Sequence, residues 1–328
     1  KNKIYKNNKM NLIVNKKLKE CYPTLSKPTI DTYTSNVCKI LKLVKADSPE
    51  YLYKNYKDVI EKIKKEHKFD NTKKNKFAAC NSIIKCYIKS GTKKEIEKAI
   101  KKYIDEINVL KDKIKNDLKT HEASSKEKAS WITPEQAKKI DKILESKVRN
   151  EINYYDEFLH LRDLVLFRFF QRISTRAELS EALFFYNDEI DINKLDTNFN
   201  YIILNKKNKE VEYFIYKHKT VKKVGFRHLI VKGELYDLLV NYKKNIINFY
   251  DDSNRNYFML SNKGKPMSYT TLSKTYSKLG NVINISLSIR CNRHIKATER
   301  IDIMAIEEVA NELGHSIEEC ISVYVKKR

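Results

Sequence analysis

Arg290, Arg293 and His294 stand together near the end of this 328-residue chain, followed by His315 and, nine positions later, Tyr324. Each of these types has a use at a phosphodiester. Two guanidinium groups can fork onto one phosphate. An imidazole trades protons near neutral pH. A phenol oxygen can attack phosphorus and hold it as an ester. The set is sufficient to open a DNA strand without metal or water. Taken singly, each residue has a plainer use. A tyrosine is usually a half-buried core residue, Leu313-Gly314-His315 is a fitting helix end, and cations in a basic chain are usually solvated. The order and spacing are what point to chemistry.

The stretch from Ser288 to Arg328 resembles the C-terminal signature of the tyrosine recombinases, the phage-type integrase family. There a basic box H-x-x-R-H is followed by L-G-H and, nine residues on, by the nucleophilic tyrosine. Here the box reads Arg290-Cys291-Asn292-Arg293-His294, with arginine in place of the first histidine. The resemblance implies that Tyr324 is the nucleophile, that Arg290 and Arg293 bind the phosphate, and that His315 hydrogen-bonds it. An arginine cannot act as a base near neutral pH, so a proton relay through position 290 would pass to His294 or to water.

Two earlier stretches extend the resemblance. The family places an arginine at a helix start, followed by an acidic residue and a leucine. Ser174-Thr175-Arg176-Ala177-Glu178-Leu179 supplies Arg176, with Glu178 one residue closer than usual and Arg172 as the fallback. The plainer reading is that either arginine caps a helix or pairs with Glu178 or Glu181. The family also carries a lysine on a β-hairpin that protonates the leaving oxygen. In Lys217-His218-Lys219-Thr220-Val221-Lys222-Lys223 the best match is Lys219, although four lysines in seven residues also describe a solvated turn.

Composition bounds the partners. Lys and Arg number 66 against 42 Asp and Glu, a formal charge of +24. Such an excess favours a polyanion, with double-stranded DNA the leading choice. A membrane surface competes, but no apolar run approaches the roughly 20 residues of a spanning helix. No signal peptide is visible, and the chain opens on Lys, as a fragment would. Six cysteines without a C-x-x-C pair read as reduced intracellular thiols, with neither zinc nor disulfides. No acidic cluster of metal-ligand pattern and no phosphate-binding glycine loop occurs, so no cofactor is expected.

The elements that must position these residues follow from periodicity. After a basic segment over 1–25, Ser26 and Pro28 signal a helix start. Apolar residues then recur at steps of three and four in four stretches, ending with Ile96 to Leu118. They predict a helical bundle over 1–121, similar to the core-binding domain of phage-type integrases. Residues 122–130 lack large apolar side chains and read as an exposed linker. Thr133-Pro134-Glu135-Gln136 is a capping box that starts a second domain over 131–328. Phe158 to Phe169 predicts its second helix. Tyr201–Leu204, Val211–Tyr216 and Phe226–Val231 predict three antiparallel strands. Tyr257–Met267 resembles the family's step before the basic box, and a helix follows over Tyr269–Leu279. The fold class expected is mainly α with a small antiparallel β-sheet, α+β: a helical bundle plus an integrase-like catalytic domain.

The function expected is a site-specific DNA recombinase or integrase working through a 3′-phosphotyrosine, for a virus or mobile element. The resemblance implies a homo-tetramer on paired DNA sites, inside the cell in cytoplasm or host nucleus. A type IB topoisomerase would share the chemistry but only relax DNA. A basic DNA-binding protein without catalysis would keep the charge and form no covalent adduct.

Overall fold

The computed structural model describes residues 2–88, 93–120, 122–250, 253–301, 309–310, 313 and 316–325. The chain divides into two compact units, Lys1–Thr120 and His121–Arg328.

The lysine-rich first unit is helical. Its helices are α1 (Asn2–Cys21), α2 (Lys27–Leu43), α3 (Tyr51–Lys54), α4 (Tyr56–Glu66), α5 (Asp70–Lys85) and α6 (Lys93–Lys119). The predicted second helix is broken at Asn55 into α3 and α4, and α1 fills the basic segment that periodicity left unplaced. Val14, Leu18, Val37, Ile40, Val59, Ile63, Phe77 and Ile83 are fully buried in one core. Burying an aliphatic side chain of this size contributes about 1.5–3 kcal/mol, which is how these marginal lysine-rich helices are held. The Tyr103 hydroxyl donates to Leu52 O at 2.8 Å, tying α6 to α3. Ser26 occupies the N-cap of α2, but its hydroxyl meets Thr29 Oγ1 at 2.9 Å rather than a backbone N–H.

The second unit begins with a difference. Residues 122–130, expected as an exposed linker, contain a helix, α7 (Ser125–Ser130). Ser124 and Glu127 form its capping box, and Cys291 Sγ donates to Glu127 O at 3.4 Å. Polar contacts hold this helix, which is why apolar periodicity did not show it. The next helix, α8 (Pro134–Glu145), starts as expected: Thr133 N donates to Gln136 Oε1 at 2.9 Å and Gln136 N to Thr133 Oγ1 at 3.3 Å.

The long helix α9 (Tyr155–Arg172) runs through the core, burying Phe158, Leu161, Leu164, Val165, Phe169 and Phe170. Rings pack about it, with Phe158 stacked on Tyr242 at 5.5 Å and Phe170 edge-on to Tyr276 at 5.1 Å. The sheet has four strands in sequence order: β1 (Leu183–Tyr186), β2 (Tyr201–Asn205), β3 (Glu210–Ile215) and β4 (Arg227–Lys232). β2–β3 and β3–β4 are antiparallel as expected. β1 pairs parallel to β2, Leu183 opposite Tyr201, so the sheet is mixed rather than purely antiparallel. Four residues of Leu-Phe-Phe-Tyr are too short a run to distinguish a strand from a helix end by periodicity.

A short helix, α10 (Val221–Val224), interrupts the β3–β4 connection, and α11 (Glu234–Phe249) follows β4. Then come α12 (Tyr269–Leu279) and α13 (Ile289–Ile301), which carries the basic box. The chain closes with a capped helical turn, Ile317–Glu319, that widens into a π-helical turn, Cys320–Tyr324. The class is α+β, mainly helical with one small sheet.

Candidate active site

Tyr324 ends the π-helical turn, a local widening that recurs at functional sites. Tyr324 belongs to a small buried cluster with Ala297, Val309, Ala310, Leu313 and Cys320. Ile321, next to Cys320, is exposed at 43%. The phenol end meets cations instead. Arg293 Nη1 donates to the Tyr324 hydroxyl oxygen at 3.0 Å, and the guanidinium carbon lies 4.7 Å from the ring centre. Arg293 Nη2 donates to Leu313 O at 2.8 Å, which fixes the fork. Burial lowers the Arg293 pKa from its ordinary value by penalising the charge.

Arg293 is placed by α13, and α13 is pinned by its neighbour. Asn292 Nδ2 donates to Phe170 O at 2.6 Å, and Gln171 Nε2 donates to Asn292 Oδ1 at 3.2 Å. The box is thereby tied to the C-terminal end of α9, immediately before the segment that carries Arg176.

Arg176 precedes a 3-10 turn, Ala177–Leu179. Its Nη1 reaches Thr220 Oγ1 at 3.4 Å and Glu178 Oε1 at 3.7 Å. The Glu178 side chain is only 6% exposed, and Arg227 Nη2 approaches the same oxygen at 3.7 Å. One carboxylate thus sits between two guanidinium groups. The pairing of Arg176 with Glu178 that the plainer reading predicted is present, and Arg176 still lines the cleft described below.

Lys219 is exposed on the turn after β3. Its neighbours hold that turn. Lys217 N donates to Asn200 Oδ1 at 2.7 Å, while Asn200 Nδ2 donates to Lys217 O at 3.0 Å and to Glu178 O at 2.9 Å. His218 Nε2 lies 2.8 Å from Gly225 O and Nδ1 3.2 Å from Thr220 Oγ1. A carbonyl can only accept, so Nε2 carries the proton and Nδ1 accepts from the threonine. Burial lowers the His218 pKa from its ordinary value.

These pieces converge on a cleft of about 650 Å³. Lys126, Arg176, Lys219, Arg290, Arg293 and Tyr324 line it, with Glu319 the carboxylate among them. Arg290 is the solvated arm of the box, its side chain 71% exposed and its Nη2 3.8 Å from Glu127. Arg172, the fallback arginine, faces Glu234 at 3.9 Å and does not line the cleft. His315 lies outside the described residues.

His294 is fully buried, with its ring stacked on Tyr324 at 4.8 Å. Nδ1 lies 3.4 Å from the main-chain oxygen of Tyr324 and Nε2 3.2 Å from Glu127 Oε1. The ring therefore offers its face to the phenol, with both nitrogens turned to other groups. This geometry does not favour the proton relay through His294 that the sequence suggested.

Sequence reasoning missed Asn200, Arg227 and Asn292 because isolated polar residues on buried elements carry no motif. Among the described residues, no cluster of His, Cys, Asp and Glu is arranged to hold a metal ion. No helix among them is long and apolar enough to cross a membrane.

No protein-family profile and no curated protein matches the sequence. Among solved structures, the chain is similar to the XerA recombinase at 14% identity and a TM-score of 0.43, over 96% of this chain and 93% of that one. It is likewise similar to the XerH site-specific recombinase, solved with its difH substrate before cleavage, at 14% identity and a TM-score of 0.49 over 97% and 92%.

Proposed function

We propose that this protein is a site-specific DNA recombinase of the tyrosine recombinase family. The observation that carries the reading is the Tyr324 hydroxyl held by Arg293 on the wall of a cleft that Arg176, Lys219 and Arg290 also line.

A bound phosphodiester is already anionic, and attack at phosphorus concentrates charge on its non-bridging oxygens. Arg176 and Arg293 would meet that charge with fixed donors, and Arg290 would add a solvated cation to the phosphate. Donors that gain strength as charge develops stabilise the transition state over the ground state. Tyr324 Oη forms the new bond to phosphorus and the bond to the 5′-oxygen breaks. Lys219, on its exposed turn, donates the proton to that leaving oxygen. The phenol proton goes to water. His315 would hydrogen-bond the phosphate, a role carried over from the resemblance alone. The 3′-phosphotyrosine retains the bond energy, so a 5′-hydroxyl from another strand can reverse the step and join.

The excess of lysine across both units would contact phosphates, with the first unit as a core-binding domain and the second as the catalytic one. Cleaving four strands in turn requires four active sites, so a homo-tetramer on paired sites follows from the reaction. Service to a virus or mobile element is the setting that we infer for it.

A nicked suicide duplex tests the reading. A covalent adduct that Tyr324→Phe abolishes supports it, and its absence leaves a DNA-binding protein. Joining between two duplexes, as against relaxation alone, separates a recombinase from a type IB topoisomerase.

A further inference from the structure

Glu127 belongs to none of the stretches that carry the resemblance, yet it stands next to the centre of the site. Its two carboxylate oxygens do different work. Oε2 accepts from Ser124 N at 2.9 Å and from Ser124 Oγ at 2.8 Å, closing the cap of α7. Oε1 lies 3.2 Å from His294 Nε2 and 3.8 Å from Arg290 Nη2, and Arg290 Nε stands 3.4 Å from the same His294 nitrogen, so the carboxylate is the nearer of the two groups at Nε2. The Glu127 backbone is fixed as well, because its carbonyl accepts from the buried Cys291 thiol. Beyond Glu127, the fully buried His294 ring stacks on Tyr324 with centres 4.8 Å apart and planes inclined by 29°.

We propose that Glu127 is a positioning residue for strand cleavage, holding His294 by its Nε2 so that the imidazole face braces the ring of Tyr324. The proposal rests on the recombinase reading for the reaction it serves. The physical case is one of order. A tyrosine on a π-helical turn near the chain's end needs a rigid backing if its oxygen is to meet phosphorus in line. Arg293 fixes the hydroxyl end, and stacking on His294 fixes the ring plane. An imidazole ring rotates about its own bond unless its nitrogens are tied. Nδ1 faces the main-chain oxygen of Tyr324 and Nε2 faces Glu127, both acceptors, so the brace is the ring with a proton on each nitrogen, and Glu127 is its anchor from outside the π-helical turn. Outer hydrogen bonds of this kind orient the groups that touch the reacting atoms.

Two variants separate positioning from folding. Ser124→Ala removes the cap of α7 and leaves the carboxylate facing His294. Glu127→Ala removes both. Adduct formation on a nicked duplex is expected to slow about tenfold or more in Glu127→Ala at saturating DNA, while the Kd for DNA stays within about twofold, and in Ser124→Ala to keep the parent rate. Equal rates in the two variants would overturn the proposal. A second readout does not depend on cleavage. Exchange of the His294 Nε2 proton with solvent, followed by NMR, is expected to be slow in the parent and in Ser124→Ala and fast in Glu127→Ala. Equal exchange in all three also overturns the proposal. A parent that forms no adduct, yet shows this exchange pattern, would instead overturn the recombinase reading and leave the brace without its reaction.

Discussion

Arg293 Nη1 and the Tyr324 hydroxyl are 3.0 Å apart, with the guanidinium also near the ring at 4.7 Å from its centre. The two residues are 31 positions apart in the chain and belong to different elements. Arg293→Ala would leave the phenol without its donor and the phosphate without a fork. A fixed donor to developing charge is worth about 3 kcal/mol, so adduct formation should fall by about 10²–10³-fold with DNA affinity much less affected. Arg293→Lys should recover little, because a lysine cannot serve Leu313 O and Tyr324 with one planar fork. A single-turnover cleavage assay checks both, and a lysine variant at the parent rate would count against the fork.

Arg290 differs from Arg293 in exposure, and its prediction differs accordingly. Its side chain is largely solvated, with Glu127 at 3.8 Å. A cation so placed contributes mostly through the phosphate backbone. Arg290→Ala should weaken binding to all duplexes alike and reduce the slope of log Kd against log salt by about one. Salt titration by fluorescence anisotropy reads this directly. An unchanged slope would mean that the arginine does not reach phosphate.

His218 makes the site sensitive to acid. Its ring is held neutral between Thr220 Oγ1 and Gly225 O, facing Arg176, Arg227 and Glu178. Burial puts its folded pKa below the ordinary value, so the contribution of the neutral ring is complete above about pH 6.5 and is lost as pH falls through the folded value. Protonation ends the acceptor role of Nδ1, so the Thr220 hydroxyl, which Arg176 also touches, can no longer donate to the ring. Cleavage should decline on the acid side as the Lys219 turn loosens. In His218→Gln that decline should flatten and the rate at pH 7.5 should be lower. A pH–rate profile with the same acid limb in both proteins would refute the link.

Sequence made some of this visible and concealed the rest for physical reasons. Thr133 and Gln136 announced α8 because a capping box is local, closed within four residues. The burial of α9 was visible because eight of its nine buried residues are phenylalanine, leucine or valine. Tyr324 and Arg293 were found by type and spacing, and their contact could not have been, since it spans two elements. α7 stayed hidden because Ser124, Glu127 and Cys291 hold it by polar contacts rather than an apolar stripe. Asn200 joins the Arg176 turn to the Lys219 turn through main-chain groups, and an asparagine before a strand looks like any other. The tertiary links that assemble the site are made by lone polar residues, which carry no period.

The approach to the basic box depends on a glycine. Gly280 ends α12, and the chain folds back so that Ile285 N donates to Gly280 O at 3.0 Å and Leu287 N to Ser277 O at 3.2 Å. Asn284 makes the reversal with φ 60°. A Cβ on Gly280 would fall 2.3 Å from Ile285 O and 2.8 Å from Leu287 Cγ. The first of these is backbone and cannot swing aside, so the 285–287 segment must shift. Leu287, Ser288 and Ile289 line the cleft and lead directly into Arg290. Gly280→Ala should therefore cost about 1–3 kcal/mol, read as a fall in Tm of about 2–4 °C for each kcal/mol in a unit of this size. It should also slow cleavage more than it weakens DNA binding, because the displaced segment carries the box. Calorimetry together with the nicked-duplex assay tests this, and a variant with the parent's Tm and rate would show that the turn relaxes without moving α13.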